Sequence, residues 1–228
     1  GHKTGCFFYF NKTPFILFFD SPKNIQQLHQ QIWNFNLSPV IFIRTDNQYH
    51  IYNGFSFVKG KTGLAELADF QENLNDFNYF KIVTGETWED YQDALKGKQR
   101  VDYKLLDNVK TLQKLLTEDS KGDLPSHIAN NLIGRILFIR YLIDRKVRIK
   151  KKLWTNDDFC EILSGGVDTT YGLFEYLQSK DNYNGDLFPI EEGEKKRVEE
   201  HHLQRIVELL KGTNLESGQQ SLFDIYDF

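Results

Sequence analysis

The sequence predicts an α+β protein in two parts: an N-terminal mixed β-sheet domain over residues 1–97 and an all-helical domain over residues 98–228. Three observations carry this. Before residue 95 the apolar residues come in short, aromatic, β-favouring runs. After residue 101 they recur at three- and four-residue spacing, the signature of buried helix faces. Between them LKGKQRV (95–101) is polar and contains Gly97, and the boundary is drawn there.

Taken in order, CFFYF (6–10) and PFILFF (14–19) are separated by Asn11, Lys12 and Thr13 and read as a hairpin. Ser21-Pro22 supplies an N-cap and a proline suited to a first helical position. Ile25, Leu28, Ile32 and Phe35 then form one helical face, which Pro39 ends. VIFIR (40–44) and QYHIYNGF (48–55) make a second strand pair across Asp46-Asn47, and NYFKIV (78–83) is either a last strand or a short buried helix. In the second part, Leu105, Leu106, Val109, Leu112, Leu115 and Leu116 share a face. Pro125-Ser126 opens a helix running to Asp144, with Ile128, Leu132, Ile133, Ile136, Leu137 and Ile139 inward; apolar nearly all round, it belongs at the centre of a bundle. VEEHHLQRIVELLKG (198–212) is an amphipathic helix closed by Gly212.

Composition narrows the function classes. With 26% charged and 40% apolar residues the chain is globular, and no apolar run approaches the ~18–20 residues of a membrane span. Cys6 and Cys160 are two cysteines far apart, which predicts a reduced, cytoplasmic setting without a disulfide framework. Net charge is −4, yet residues 140–152 (RYLIDRKVRIKKK) hold seven cations against one acid. Arg140, Arg145, Lys146, Arg148, Lys150, Lys151 and Lys152 are therefore the candidate contacts to the phosphate backbone of double-stranded DNA. Cations also suit a helix C-terminus, so the run has a purely structural alternative.

Other motifs fall short. KGKTG (59–63) has the end of a phosphate-binding loop, but Phe55 stands where the leading glycine is required. No histidines, cysteines and acids share metal-ligand spacing, so no metal site is expected. The order of the first part (hairpin, acid and lysine at a strand end, helix, two strands) resembles the PD-(D/E)xK nuclease core, as in the nuclease domains of type I restriction subunits. That resemblance implies Asp20 and Lys23 of FFDSPK as remnants of a metal-dependent site. The spacing is DxxK, Pro22 interrupts it, and CFFYF contributes no second acid. A degenerate nuclease-like domain is the expectation, with no catalytic residue assigned.

LIGRILFIRYLIDR (132–145), YGLFEYLQSKDNYNGDLFP (171–189) and LESGQQSLFDIYDF (215–228), in that order and spacing, resemble the region upstream of the catalytic domain in large adenine-specific DNA methyltransferases of the type IIG-like restriction–modification class. The resemblance implies a chain cut before its methyltransferase domain, which would be its partner, and S-adenosylmethionine as cofactor of the parent protein. It implies no cofactor for this fragment. An Asn-Pro-Pro-Tyr loop that would hold a flipped adenine is absent, and no Gly-x-Gly follows a predicted strand. The expected role is positioning DNA or docking domains, with an active endonuclease and a pure interaction scaffold as rivals.

Overall fold

The structure is a computed structural model that describes residues 5–46, 48–57, 66–96, 100–118, 124–179, 189–213 and 221–226. It is a mixed α+β protein of two units, residues 1–104 and 105–228. The expected boundary at Gly97 and the KGKTG stretch lie outside the described residues.

In the first unit five strands lie in chain order across one sheet: β1 (Cys6–Phe10), β2 (Thr13–Asp20), β3 (Val40–Thr45), β4 (Gln48–Asn53) and β5 (Glu66–Ala68). β2 and β3 run parallel, joined through helix α1 (Ile25–Phe35), and the other neighbours are antiparallel. VIFIR reads as an unbroken apolar run because both of its faces are covered. Val40 and Phe42 lie with Ile51, Phe77 and Ile82, while Ile41 and Ile43 lie with Leu17, Phe19, Leu28 and Ile32. The second group brings α1 to one face of the sheet. The first brings the short helices α2 (Phe70–Asn73), α3 (Tyr79–Thr84) and α4 (Glu86–Asp90), with the 3₁₀ turn Leu74–Phe77, to the other.

Two local expectations need correcting, and one open alternative is resolved. Helix α1 starts at Ile25 and is capped by Asn24, whose side chain accepts from the Gln27 amide at 2.8 Å. Ser21 remains tied to the sheet through its amide to the Arg44 carbonyl at 2.7 Å and takes a left-handed φ of 45°, so it cannot cap. NYFKIV takes the helical alternative, as α3. β5 was not anticipated. At the end of β4, Gly54 approaches the neighbouring loop so closely that a Cβ there would stand 2.0 Å from the Ser38 carbonyl oxygen.

The second unit contains most of α5 (Val101–Thr117), then α6 (Ser126–Asp144), α7 (Asn156–Ser164), α8 (Val167–Gln178), α9 (Glu194–Arg197) and α10 (Glu200–Leu210). It is not all helical. β6 (Arg148–Ile149) and β7 (Lys152–Leu153) form a two-stranded hairpin inside the basic run. α6 has the extent its sequence predicts, and its buried residues cover most of its circumference. Gly212 ends α10 with φ 66°.

Residues 221–226, from the GQQSLFDIYDF stretch, fold back onto this unit. Phe223 is fully buried and meets Tyr226 edge-on at 5.2 Å. Asn108, buried on α5, accepts from the Leu222 amide at 3.2 Å and from the Tyr226 hydroxyl at 3.0 Å through its Oδ1. Ser221 donates to the Leu209 carbonyl at 2.6 Å. Cys6 is exposed and Cys160 buried, neither in a disulfide. Among the described residues no helix is long and apolar enough to cross a membrane.

Candidate nucleic-acid interface

The basic run is built in three steps. α6 ends as Lys146 turns left-handed, φ 56°, with its amide on the Ile143 carbonyl and the Val147 amide on the Leu142 carbonyl, both at 2.9 Å. This closes the last helical turn in the manner usually given to glycine. The chain then enters the hairpin, where Arg148 pairs with Leu153 and Ile149 with Lys152. Ile149 is fully buried and anchors the hairpin by one apolar side chain. Lys150 and Lys151 form the two-residue loop, with φ 49° and 65°.

A two-residue hairpin loop with both residues at positive φ favours Asn-Gly, because a Cβ collides with the backbone there. Each left-handed residue other than glycine costs roughly 1–2 kcal/mol. The missing Asn-Gly signal is why the hairpin was not legible in the sequence.

The seven candidate cations do not share one fate. Arg140 is buried, with Nε 3.1 Å from Asp144 and Nη2 donating to the Tyr226 carbonyl at 3.2 Å. It braces the closing segment and must be removed from the predicted DNA-contact set, because its guanidinium faces the interior. Lys152 donates to Asp158 at 2.8 Å, and Asp158 also accepts from Thr155 in the capping box of α7. The Lys152 hydrogen bond, followed by those of Thr155, holds the Asp158 carboxyl far below the usual carboxylate range. Arg145 lies 5.4 Å over the Tyr141 ring and Lys150 5.2 Å over the Tyr176 ring. Arg145, Lys146, Arg148, Lys150, Lys151 and Lys152 are all exposed.

The nuclease candidates lie at a strand end and in the turn that follows it. Asp20 ends β2 opposite Arg44 of β3, and the Arg44 guanidinium grips its carboxylate through Nε at 2.8 Å and through Nη2. That bond, with a second from Ser21, holds the carboxyl below its usual range. Lys23 is exposed in the turn before α1. A carboxylate clamped by an arginine on its neighbouring strand is poorly disposed to ligate a metal, and among the described residues no group of three His, Cys, Asp or Glu is arranged to hold one. Gly165 and Gly166 join two helices, α7 and α8, where a cofactor turn would follow a strand.

Two polar features of the second unit were missed. Arg135, on α6, meets Glu194 through both of its terminal nitrogens and donates to the Pro189 carbonyl at 2.7 Å. Tyr171 donates to the same Glu194 at 2.6 Å, and Arg135 stands 5.2 Å over the Phe174 ring. The signal was present: an arginine within a helix predicted to be apolar nearly all round demands a buried acid. Asn108 interrupts the leucine face of α5 and was passed over for that reason. Comparison with protein-family models, curated proteins and solved structures finds no match.

Proposed function

We propose that this chain is a non-catalytic, N-terminal portion of a restriction–modification DNA methyltransferase, serving to position double-stranded DNA. The single observation that supports it is the group of exposed cations on and beside the β6–β7 hairpin. The hairpin–helix–strand pair order of the first unit agrees with a degenerate nuclease-like domain, in which Asp20 is a structural acid. S-adenosylmethionine belongs, on this reading, to the parent protein's methyltransferase domain.

The test is binding of a fluorescent 24-base-pair duplex by the full chain across a salt series. A phosphate-based interaction should be non-specific, and log affinity should fall with log salt at a slope of about −3 to −5 for some four to five contacts. No binding at low salt, or an unchanged slope after neutralising Arg145, Lys146, Arg148, Lys150, Lys151 and Lys152 together, would overturn it.

A docking role is favoured by a different observation in the first unit. Tyr79, Phe80, Val83 and Trp88 are 60%, 76%, 44% and 44% exposed, within a stretch (66–96) carrying eight acids and two lysines. This apolar, acid-flanked surface suits a protein segment that is both apolar and positively charged. A synthetic amphipathic Lys/Leu helix should bind the chain and lose affinity on Phe80→Ser; equal binding of its Glu/Leu counterpart would exclude this reading.

A further inference from the structure

Eight non-glycine residues take positive φ among the described residues. Three of them are Lys146, Lys150 and Lys151, within six positions. Of the other five, Asn11, Asn36 and Asp46 are of the types whose short polar side chains tolerate that conformation; the remaining two are Ser21 and Lys12, the latter in the β1–β2 turn. Lysine has no such device. At the end of α6 and at both loop positions of the hairpin, the chain holds a long cation where glycine or asparagine would relax the backbone.

We propose that Lys146, Lys150 and Lys151 form a preset grip for successive phosphodiester groups of duplex DNA, engaging its backbone and not its bases; this rests on the DNA-positioning reading above. The mounting is rigid. Ile149 is buried beneath the hairpin, the Lys152–Asp158 pair ties its returning strand to the start of α7, and the backbone bonds around Lys146 fix the other end. Lys146 and Lys151 are exposed and make no side-chain hydrogen bond or ion pair among the described residues, while Lys152 is engaged by Asp158 and Arg140 is interior. An ammonium on a flexible stem is a point charge with three donors, suited to phosphate oxygens approached from several directions.

The aromatic residues nearby decide between duplex and single strand. Single-strand binders offer ring faces on which bases stack. Here the Tyr141 and Tyr176 rings lie beneath Arg145 and Lys150. Tyr141 remains 43% exposed, but a cation shares the face of each ring that a stacked base would use.

The experiment uses the full chain, two 24-base-pair duplexes of unrelated sequence and a single-stranded 24-mer, read by fluorescence anisotropy and thermal melting. Lys150→Asn with Lys151→Gly gives the loop its favoured pair and removes two charges. It should raise the melting temperature by roughly 2–6 °C. It should also weaken duplex binding about tenfold or more and reduce the salt slope by about 2. Lys150→Gln with Lys151→Gln removes the charge without relaxing the loop, so binding should fall with no gain in melting temperature. Lys110→Asn with Lys114→Asn removes two charges on α5 and should leave binding nearly unchanged. The two duplexes should bind alike and the single strand more weakly.

If the Asn-Gly variant binds as the wild type does, with the wild-type slope, the grip is refuted while DNA binding through other cations stands. Equal or tighter binding of the single strand overturns the choice of duplex. Failure of the wild type to bind any duplex at low salt overturns both readings.

Discussion

Arg135 and Glu194, 59 positions apart in the chain, face each other as an ion pair with 2% and 0% of their side chains exposed. Burying both charges is offset only while each is matched; Tyr171, the Glu191 amide and the Pro189 carbonyl add to the matching, while the buried Arg135 Nε makes no hydrogen bond among the described residues. Glu194→Gln leaves the guanidinium interior and unneutralised, and should destabilise the second unit by about 3–5 kcal/mol. Urea unfolding followed by circular dichroism measures it; a loss below about 1 kcal/mol would show that the pair is not matched as described.

The same pair sets an acid limit. Burial alone would raise the Glu194 carboxyl, but hydrogen bonds from Arg135 and Tyr171 outweigh it and hold the group below its usual value. Asp158 is lowered as well. A group whose folded pKa is depressed contributes stability above its unfolded pKa and loses it as pH falls through the folded one. The melting temperature should therefore stay level from neutrality to about pH 5 and drop below about pH 4. Glu194→Gln should flatten part of that acid limb, and a melting profile with its fall near pH 6 would point to histidines instead.

Asn108→Ala removes the shared acceptor of the Leu222 amide and the Tyr226 hydroxyl. Two buried donors then lose this acceptor, at about 1–3 kcal/mol each in the absence of rearrangement. The closing segment should loosen first, making Phe223 a site of limited chymotrypsin cleavage. A variant as resistant as the wild type would mean that the apolar contacts alone hold the segment.

How far the sequence disclosed this architecture depends on where each signal resides. α6 was legible end to end because Pro125, Ser126 and a dense apolar period are all local. The start of α1 was misplaced by three residues, since the bond from Ser21 to Arg44 that fixes it is non-local. The β6–β7 hairpin has no turn residues to announce it. Arg140 was counted among surface cations on charge alone; Asp144, four residues on along the same helix, is a local partner, but the Tyr226 carbonyl emerges only when the chain closes. Asp20 likewise looked like a candidate ligand until its register against Arg44 was known.

Gly54 offers a test of the first unit. Alanine there would bring a methyl group to 2.0 Å from the Ser38 oxygen, a backbone atom held by its own loop. Separating β4 from that loop should cost roughly 1–3 kcal/mol or more. Near-neutral melting of Gly54→Ala would mean the loop yields freely.

The manner in which residues 221–226 are fastened has a practical corollary. The attachments described above include a neutral amide, hydroxyls, main-chain groups and aromatic contact, with one buried guanidinium bond from Arg140. Mobile ions screen exposed charges strongly and interior dipoles hardly at all. Raising ionic strength should therefore weaken the hold of the exposed hairpin cations on a polyanion far more than it weakens these interior hydrogen bonds.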